Sequence, residues 1–214
     1  KDMPLGVPED LPLAAFSRRE DPRDVLVLPE GIRELDKDKP IGCSSRRRQL
    51  QLRALYPDMR IASVRGNVQT RLAKLDGEEY SALVLAAAGL KRLGLEHRIC
   101  RYFSAEEILP AAGQGILVVQ TRKGTDTDCL RLVRDEDSTW CALAERAFVR
   151  TLDGGCTSPV AAHAVVDGET LTLTGFYVSA DESVQRKGTL SGPREQAEQL
   201  GQALANQLRE GEGQ

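Results

Sequence analysis

The most concentrated chemistry in this 214-residue sequence lies in an arginine-rich segment from Arg46 to Arg71. The segment holds seven arginines, one aspartate and no lysine, a local charge of +6 in a protein whose formal net charge is −3. A planar guanidinium group binds a carboxylate or phosphate through two parallel hydrogen bonds, which a lysine ammonium group cannot do. The segment therefore predicts a partner that carries negative charge.

The first half of this segment predicts a helix that begins just after a pair of serines. Ser44 or Ser45 serves as the cap, and Arg47 and Arg48 fall in the first turn. Cations in the first turn oppose the helix dipole unless an anion binds at that end. The apolar stripe of this helix consists of Leu52, Leu55 and Tyr56.

The second half repeats the design. A short strand over Ile61–Val64 leads to an Arg65-Gly66 turn, and Asn67 caps a helix that carries Arg71 in its first turn. Placed side by side, the two units direct four arginines and several backbone N–H groups at one cleft. The predicted contacts of a bound anion are Ser44, Ser45, Arg47, Arg48, Arg65, Gly66 and Arg71. Arg53 and Arg60 are interpreted instead as a solvated helix face.

The surrounding pattern predicts an α/β domain. Ala82–Ala86 is a continuous apolar run, typical of a strand buried on both faces of a parallel sheet. Strands alternate with helical segments from Val25 to Leu95, which favours a mainly parallel sheet. Anions bind beyond the carboxyl ends of such strands.

The C-terminal part predicts a small α+β domain with an antiparallel sheet. An Asp167-Gly168 turn joins two alternating strands into a hairpin, and Arg186–Leu190 is a candidate third strand. Arg194–Leu208 follows as an amphipathic helix.

A helix through Leu152, capped by Ser138 or Thr139, precedes this domain. It ends at a glycine pair that leaves Cys156 on an exposed loop, an unusual position for a thiol whose role is packing alone.

Composition excludes several classes of protein. Hydrophobic residues make up 41% and charged residues 29%, as in a soluble globular protein, and no apolar run is long enough to cross a bilayer. Aromatic residues make up only 4%, which argues against nucleic-acid binding by base stacking. The five cysteines are odd in number and lack CxxC spacing, so we expect reduced thiols in a cytoplasmic protein and no metal site.

Three stretches resemble one known family: GCSSRRRQ at residues 42–49, RGNVQTRLAKLD at 65–76 and AAAGLKRLGL at 86–95. The similarity continues in KDMP at residue 1, REDPRD at 19, LPAAGQG at 109 and LDGGC at 152. Together they resemble the hydroxymethylbilane synthase family, also called porphobilinogen deaminase, in the family's order over nearly the whole chain. That family joins four porphobilinogen molecules head to tail, releases ammonia at each step, and frees the linear product hydroxymethylbilane with water.

The resemblance implies a division into three parts. Residues 1–20 and 111–133 are similar to a remnant of the family's N-terminal domain, and most of that domain has no counterpart here. Residues 21–110 correspond to a second domain that resembles half of a periplasmic binding protein. Residues 134–214 correspond to the C-terminal domain.

The resemblance also implies roles for individual residues. Asp2 corresponds to the catalytic aspartate, with Lys1 beside it as an anion contact. Cys156 corresponds to the cysteine that carries a covalent dipyrromethane cofactor, two linked pyrroles built from substrate. Gln114 is carried over as a cofactor contact, and Arg92 joins the positively charged lining.

Two residues depart from the family pattern. Cys43 stands where threonine is usual, and Arg46 stands where leucine is usual. From the resemblance we expect a monomer that needs no metal and binds no nucleic acid. Because so much of the N-terminal domain is missing, we expect this polypeptide alone to be weakly active or inactive. The alternative is a non-catalytic anion-binding module of the solute-binding-protein type, which needs the arginines but neither Asp2 nor Cys156.

Overall fold

The computed structural model describes residues 1–153 and 159–211, which form two compact units. The first unit comprises Lys1–Glu20 and Ala111–Gln214, and the second comprises Asp21–Pro110. The chain thus leaves the first unit once and returns to it once. The division of the first unit into an N-terminal remnant and a C-terminal domain stays a prediction.

The second unit is built on a five-stranded sheet with the order β4-β3-β5-β2-β6. Its strands are β2 (Asp24–Val27), β3 (Ile41–Gly42), β4 (Ile61–Ala62), β5 (Ala82–Ala86) and β6 (Ile99–Tyr102). Its helices are α1 (Arg46–Leu55), α2 (Val68–Asp76), α3 (Ala87–Arg92) and a 3-10 turn at Glu96–Arg98. An α/β unit agrees with the predicted fold class, whereas the predicted domain boundaries stay a prediction.

The prediction of a mainly parallel sheet is wrong, because the sheet is mixed. β3 is parallel to both β4 and β5, whereas β2 is antiparallel to both β5 and β6. Helical connections join β3, β4, β5 and β6 in turn and make these four strands run in the same direction. No helix separates β2 from β3, and β2 lies antiparallel between β5 and β6.

Two inner strands of this sheet, β2 and β5, bury both of their faces. In β2, Val25 and Val27 pack into one hydrophobic cluster, and Leu26 packs into another on the opposite face. In β5, Leu83 and Val84 divide between the same two clusters. Because successive side chains face opposite sides of the sheet and both sides are buried, β2 and β5 are nearly continuous apolar runs in the sequence.

The first unit contains a two-stranded ribbon and a three-stranded sheet. The ribbon pairs β1 (Leu13–Phe16) with β7 (Val118–Gln120) antiparallel, and a 3-10 turn follows at Asp128–Leu132. The sheet has the order β10-β9-β8 and is antiparallel throughout, as the sequence predicted. Its strands are β8 (Ala161–Asp167), β9 (Thr170–Val178) and β10 (Gln185–Pro193).

Two helices complete the first unit: α4 (Glu136–Thr151) and α5 (Ala197–Glu210), the latter preceded by a 3-10 turn at Arg194–Gln196. They approach closely at Gly201, where an added Cβ would lie 2.3 Å from the Ala144 carbonyl oxygen. The predicted inward face of α5 is buried, and it consists of Ala197, Leu200, Gly201, Leu204 and Leu208.

The N-cap of α4 differs from the prediction. Asp135 occupies the cap and accepts a hydrogen bond from the Ser138 N–H at 2.8 Å, so neither Ser138 nor Thr139 is the cap. A carboxylate at this end satisfies a free N–H group and also complements the helix dipole. Among the described residues, no helix has the length and hydropathy to span a bilayer.

Candidate functional site

The parallel strands β3, β4 and β5 end at one edge of the second unit's sheet, here called the carboxyl edge. The loops that follow β3 and β4 are tied together there by Ser44. Its hydroxyl accepts a hydrogen bond from the Val64 N–H at 3.0 Å and donates to the Val64 carbonyl, and it lies 3.1 Å from the Ser63 hydroxyl. The two predicted strand–turn–helix units therefore do meet side by side.

The loop after β4 presents Arg65 to solvent. Gly66 follows with a φ of +120°, and an added Cβ there would lie 2.7 Å from the Thr70 side chain. Asn67 caps α2 as predicted, because its side chain accepts from the Thr70 N–H at 2.8 Å. Arg71 is half-buried, and its Nε donates to the Gly66 carbonyl oxygen at 2.7 Å. The Asn67 cap and the hydrogen bond from the Arg71 side chain thus both hold the Arg65-Gly66 turn in place.

The loop after β3 leads directly into α1. Ser45 occupies the N-cap of α1 but makes no capping hydrogen bond with its side chain. A helix N-terminus without a capping side chain attracts anions through its backbone N–H groups and the helix dipole. This feature and the exposed Arg65 make the carboxyl edge suited to binding carboxylates.

Arg47 and Arg48 are placed differently from the expectation of two open anion-binding arginines. They are only 3% and 7% exposed, and both donate to the Asp24 carboxylate. Arg47 Nη2 lies 2.8 Å from one Asp24 oxygen, and Arg48 Nη2 lies 2.7 Å from the other. Charges taken out of water need such a partner. Two cations share one carboxylate, so the cluster keeps a net charge of +1, and ligand binding by either arginine stays a prediction.

Asp24 reaches this position because β2 runs antiparallel. The first residue of β2 pairs with Ala86, the last residue of β5, so the Asp24 carboxylate lies at the carboxyl edge. Burial by itself would raise the pKa of Asp24, but Arg47 and Arg48 outweigh it and hold the pKa below its ordinary value of 3.8. The carboxylate is therefore ionised at neutral pH.

Arg92, Arg46 and Cys43 are the remaining residues that the sequence singled out in the second unit. Arg92 is exposed and ends α3, about 7.5 Å along the helix axis from the end that follows β5. Arg46 is half-buried, and its Nη1 donates to the Gln49 side chain at 3.2 Å. Cys43 is buried in the core, and burial raises the pKa of its thiol. The cysteine that replaces the usual threonine at position 43 therefore places no exposed thiol at the carboxyl edge.

The candidates Lys1, Asp2 and Gln114 belong to the first unit. The Lys1 Nζ lies 3.5 Å from an Asp2 carboxylate oxygen, and the Asp2 side chain is 88% exposed. Gln114 is buried in the turn after Ala111, to whose carbonyl oxygen its N–H donates at 2.9 Å. Its carbonyl oxygen accepts from Arg19 Nη1 at 3.2 Å. Asp2 is thus open to a substrate, whereas a cofactor contact by Gln114 stays a prediction.

The predicted attachment residue, Cys156, lies outside the described residues. Of the four cysteines that are described, Cys43 and Cys141 are buried, and Cys100 and Cys129 are exposed. Burial and the neighbouring Glu145 raise the pKa of Cys141 to about 11. Thiols with raised pKa values are poor nucleophiles, so neither buried cysteine competes as a point of attachment. Within residues 1–153 and 159–211, no group of three or more metal-ligating side chains comes together.

Sequence reasoning missed two buried carboxylates. Asp24 entered the sequence analysis only as the last residue of REDPRD, and Glu145 was not singled out. Glu145 is fully buried and accepts hydrogen bonds from Arg19 Nη2, the Gly113 N–H and the Ala164 N–H at 2.6–2.7 Å. Each of these acidic residues lies next to apolar core positions in the sequence. That pattern could have indicated a buried carboxylate, but it does not identify the residue that pairs with it.

Two family models match the chain. Residues 1–130 match the model described as porphobilinogen deaminase, dipyromethane cofactor binding domain, and residues 139–210 match porphobilinogen deaminase, C-terminal domain. The porphobilinogen deaminase of Alkaliphilus oremlandii (strain OhILAs) is 55% identical over 209 residues, which cover 98% of this chain and 70% of the relative. Those of Acetivibrio thermocellus and Ruminiclostridium josui are 53% and 51% identical, with 99% and 98% of this chain and 72% and 71% of each relative covered.

The mixed α/β unit, the antiparallel C-terminal sheet and these matches define a protein of the class that binds a dipyrromethane cofactor. The chain belongs to the porphobilinogen deaminase family. The donor chemistry of the carboxyl edge fits that cofactor, whose pyrroles carry carboxylate side chains. Exposed Arg65, the Ser44 loop and the N-terminus of α1 supply cationic and N–H donors for carboxylates.

Proposed function

We propose that this chain carries the activity of its family, hydroxymethylbilane synthase, in tetrapyrrole biosynthesis. In each step a carbon–carbon bond forms between the aminomethyl carbon of a porphobilinogen and the free ring carbon of the acceptor. The carbon–nitrogen bond breaks, ammonia leaves, and the acceptor ring loses a proton. After four such steps, water releases hydroxymethylbilane. Family membership over 98% of the chain is the observation that carries this proposal.

The cofactor, when bound through Cys156, supplies the free pyrrole carbon to which the first substrate is joined. The residues of the second unit would hold carboxylates. Arg65 donates a fork of N–H groups from an exposed turn, and Arg71 fixes that turn by bonding to the Gly66 carbonyl oxygen. The α1 N-terminus adds backbone donors beside Ser44.

The buried cluster of Arg47, Arg48 and Asp24 acts beneath this surface. Its net charge of +1 adds a positive field to the carboxyl edge without a fully exposed cation. Every porphobilinogen carries two carboxylates, so the growing product gains two negative charges per ring. A fixed positive lining offsets that accumulation.

In the first unit, the role proposed for Asp2 is to act on the reacting ring. Its exposed carboxylate can accept a hydrogen bond from a pyrrole N–H and stabilise positive charge that develops as ammonia leaves. Lys1, 3.5 Å away, adds a cation for the substrate carboxylates. A carboxylate that acts on developing charge contributes to turnover more than to substrate binding.

The test is the formation of hydroxymethylbilane from porphobilinogen by the 214-residue chain and by a polypeptide of the relatives' length that contains it. We expect turnover by the longer polypeptide, and the ratio of the two rates measures the contribution of the part of the relatives' length that this chain does not cover. The Asp2→Asn variant of the longer polypeptide should lose activity while its KM changes little. Absence of hydroxymethylbilane from the longer polypeptide would refute the proposed activity.

The rival function, a non-catalytic anion-binding module, rests on the resemblance of the arginine-rich domain to half of a solute-binding protein. It predicts porphobilinogen binding without consumption and no effect of Asp2→Asn. Ammonia release, measured alongside binding, separates the two functions.

A further inference from the structure

The segment that carries Asp2 has no regular structure of its own. Residues 1–12 form neither helix nor strand, and the Asp2 side chain projects into solvent. Within the segment, the Leu11 N–H donates to the Pro8 carbonyl oxygen at 3.0 Å, and Pro8 lies six residues beyond Asp2. The position of Asp2 must therefore be fixed by contacts with another part of the first unit.

Arg146 of α4 makes hydrogen bonds of this kind with the three residues that follow Asp2. Its Nη2 donates to the Pro4 carbonyl oxygen at 2.7 Å and to the Leu5 carbonyl oxygen at 3.2 Å, and its Nη1 donates to the Met3 carbonyl oxygen at 3.4 Å. One planar guanidinium group thus holds three successive carbonyls. The rigid fork of donors suits this task, whereas a lysine ammonium group offers a single compact centre.

The helix that carries Arg146 is itself held firmly. The preceding residue, Glu145, bonds to Arg19, Gly113 and Ala164, which lie on three separate segments of the first unit. The Leu5 side chain packs against the hydrophobic core that α4 shares with α5 and the antiparallel sheet. Arg146 therefore attaches the Asp2 segment to a helix that is bonded to three other segments of this unit.

We propose that Arg146 is a positioning residue, which holds the Met3–Leu5 backbone and through it keeps the Asp2 carboxylate in the geometry that the reaction needs. The inference rests on the proposed role of Asp2. A misplacement of about 1 Å at a reacting group costs on the order of 100-fold in rate. Arg146→Gln should therefore lower kcat by about 100-fold and change KM little.

The first test measures order without turnover. Backbone amide order parameters from NMR are compared for Met3, Leu5, Gly6 and Val7 in the parent chain and in Arg146→Gln. We expect values of about 0.85 in the parent and below about 0.6 in the variant. Arg150→Gln is the matched control, because Arg150 is exposed and lies one turn further along the same helix. It should leave these values unchanged, and unchanged order in Arg146→Gln would overturn the proposal.

The second test is a double-mutant cycle in the longer polypeptide, with each rate expressed relative to its parent. If Arg146 acts through Asp2, then adding Arg146→Gln to Asp2→Asn lowers kcat no further. Additive losses would overturn the proposal, and so would a normal kcat in Arg146→Gln. Full turnover by Asp2→Asn alone would instead refute the proposed role of Asp2, and the NMR measurement distinguishes that result from failure of the Arg146 contact.

Discussion

Asp24 and Arg47 form a buried ion pair, with Arg47 Nη2 donating to an Asp24 oxygen at 2.8 Å. The pair exists because β2 runs antiparallel to β5, which puts the first residue of β2 beside the last residue of β5. In a fully parallel sheet, Asp24 would lie at the opposite edge, and both Arg47 and Arg48 would lack this carboxylate. The direction of one strand thus determines the charge of the carboxyl edge.

Removing the charge of Asp24 should destabilise the protein strongly. Asp24→Asn leaves two buried guanidinium groups with no anion, and breaking such a buried pair costs about 3–5 kcal/mol. Urea unfolding at neutral pH measures the loss. The matched control is Glu9→Gln, which removes the partner of Lys123 at the surface and should cost less than about 1 kcal/mol. Equal losses in the two variants would contradict a special role for Asp24.

Asp24 should also make stability fall in acid. Its pKa is lowered in the folded protein, so its contribution is fully present above the ordinary value of 3.8 and is lost as the pH falls through the lower folded value. Unfolding free energies measured from pH 6 down to pH 2 should therefore decline more steeply below about pH 4 in the parent than in Asp24→Asn. Parallel curves would show that Asp24 is not ionised in the fold.

Reversing the charge of Arg65 should weaken binding of porphobilinogen. A hydrogen bond to a charged partner contributes about 1.5–3 kcal/mol, so Arg65→Glu should raise Kd by at least about 10-fold in isothermal titration calorimetry. The effect should shrink in 1 M salt, because Arg65 is exposed and its charge is screened. Arg53→Glu is the control on the exposed face of α1 and should change Kd by less than about 2-fold. A similar change in both variants would indicate a general charge effect.

Cys156 should be the only cysteine that carries a covalent adduct. We expect intact mass spectrometry of the longer polypeptide to show the mass of two pyrrole units, and Cys156→Ser to lack it. Cys100→Ser and Cys129→Ser are the controls, because both of these thiols are exposed, as the sequence predicts for Cys156. Both control variants should keep the adduct. An adduct that persists in Cys156→Ser would place the attachment elsewhere, although Cys141 is a poor candidate because its pKa is raised to about 11.

A methyl group at Gly201 should push α4 and α5 apart. The added Cβ would lie 2.3 Å from the Ala144 carbonyl oxygen and 2.8 Å from the Ala147 Cβ, so Gly201→Ala should cost about 1–3 kcal/mol. Gly89→Ala is the control within α3, where nothing lies within 4 Å of the added Cβ. It should stabilise the protein by up to about 1 kcal/mol, because alanine is the better helix former. Thermal unfolding of both variants checks the sign.

Much of the local structure was predictable because it depends on neighbours in the chain. The strand Ala82–Ala86, the Asn67 cap, the hairpin around Asp167-Gly168 and the buried face of α5 follow from periodicity and turn chemistry. The α4 cap was missed because serine, threonine and aspartate are all good caps, and four such residues occur within residues 135–139.

The sequence by itself determined the family and most of the secondary structure. It also showed that arginines are concentrated between Arg46 and Arg71. Only the tertiary structure decided which arginines are open to solvent and which are paired. Arg65 and Arg47 are of one residue type in one segment, yet the first faces solvent and the second meets a carboxylate 23 positions earlier in the chain. The physical reason is that hydrophobic periodicity is a local property, whereas the partner of a buried charge depends on strand direction and on which distant segments the fold brings together.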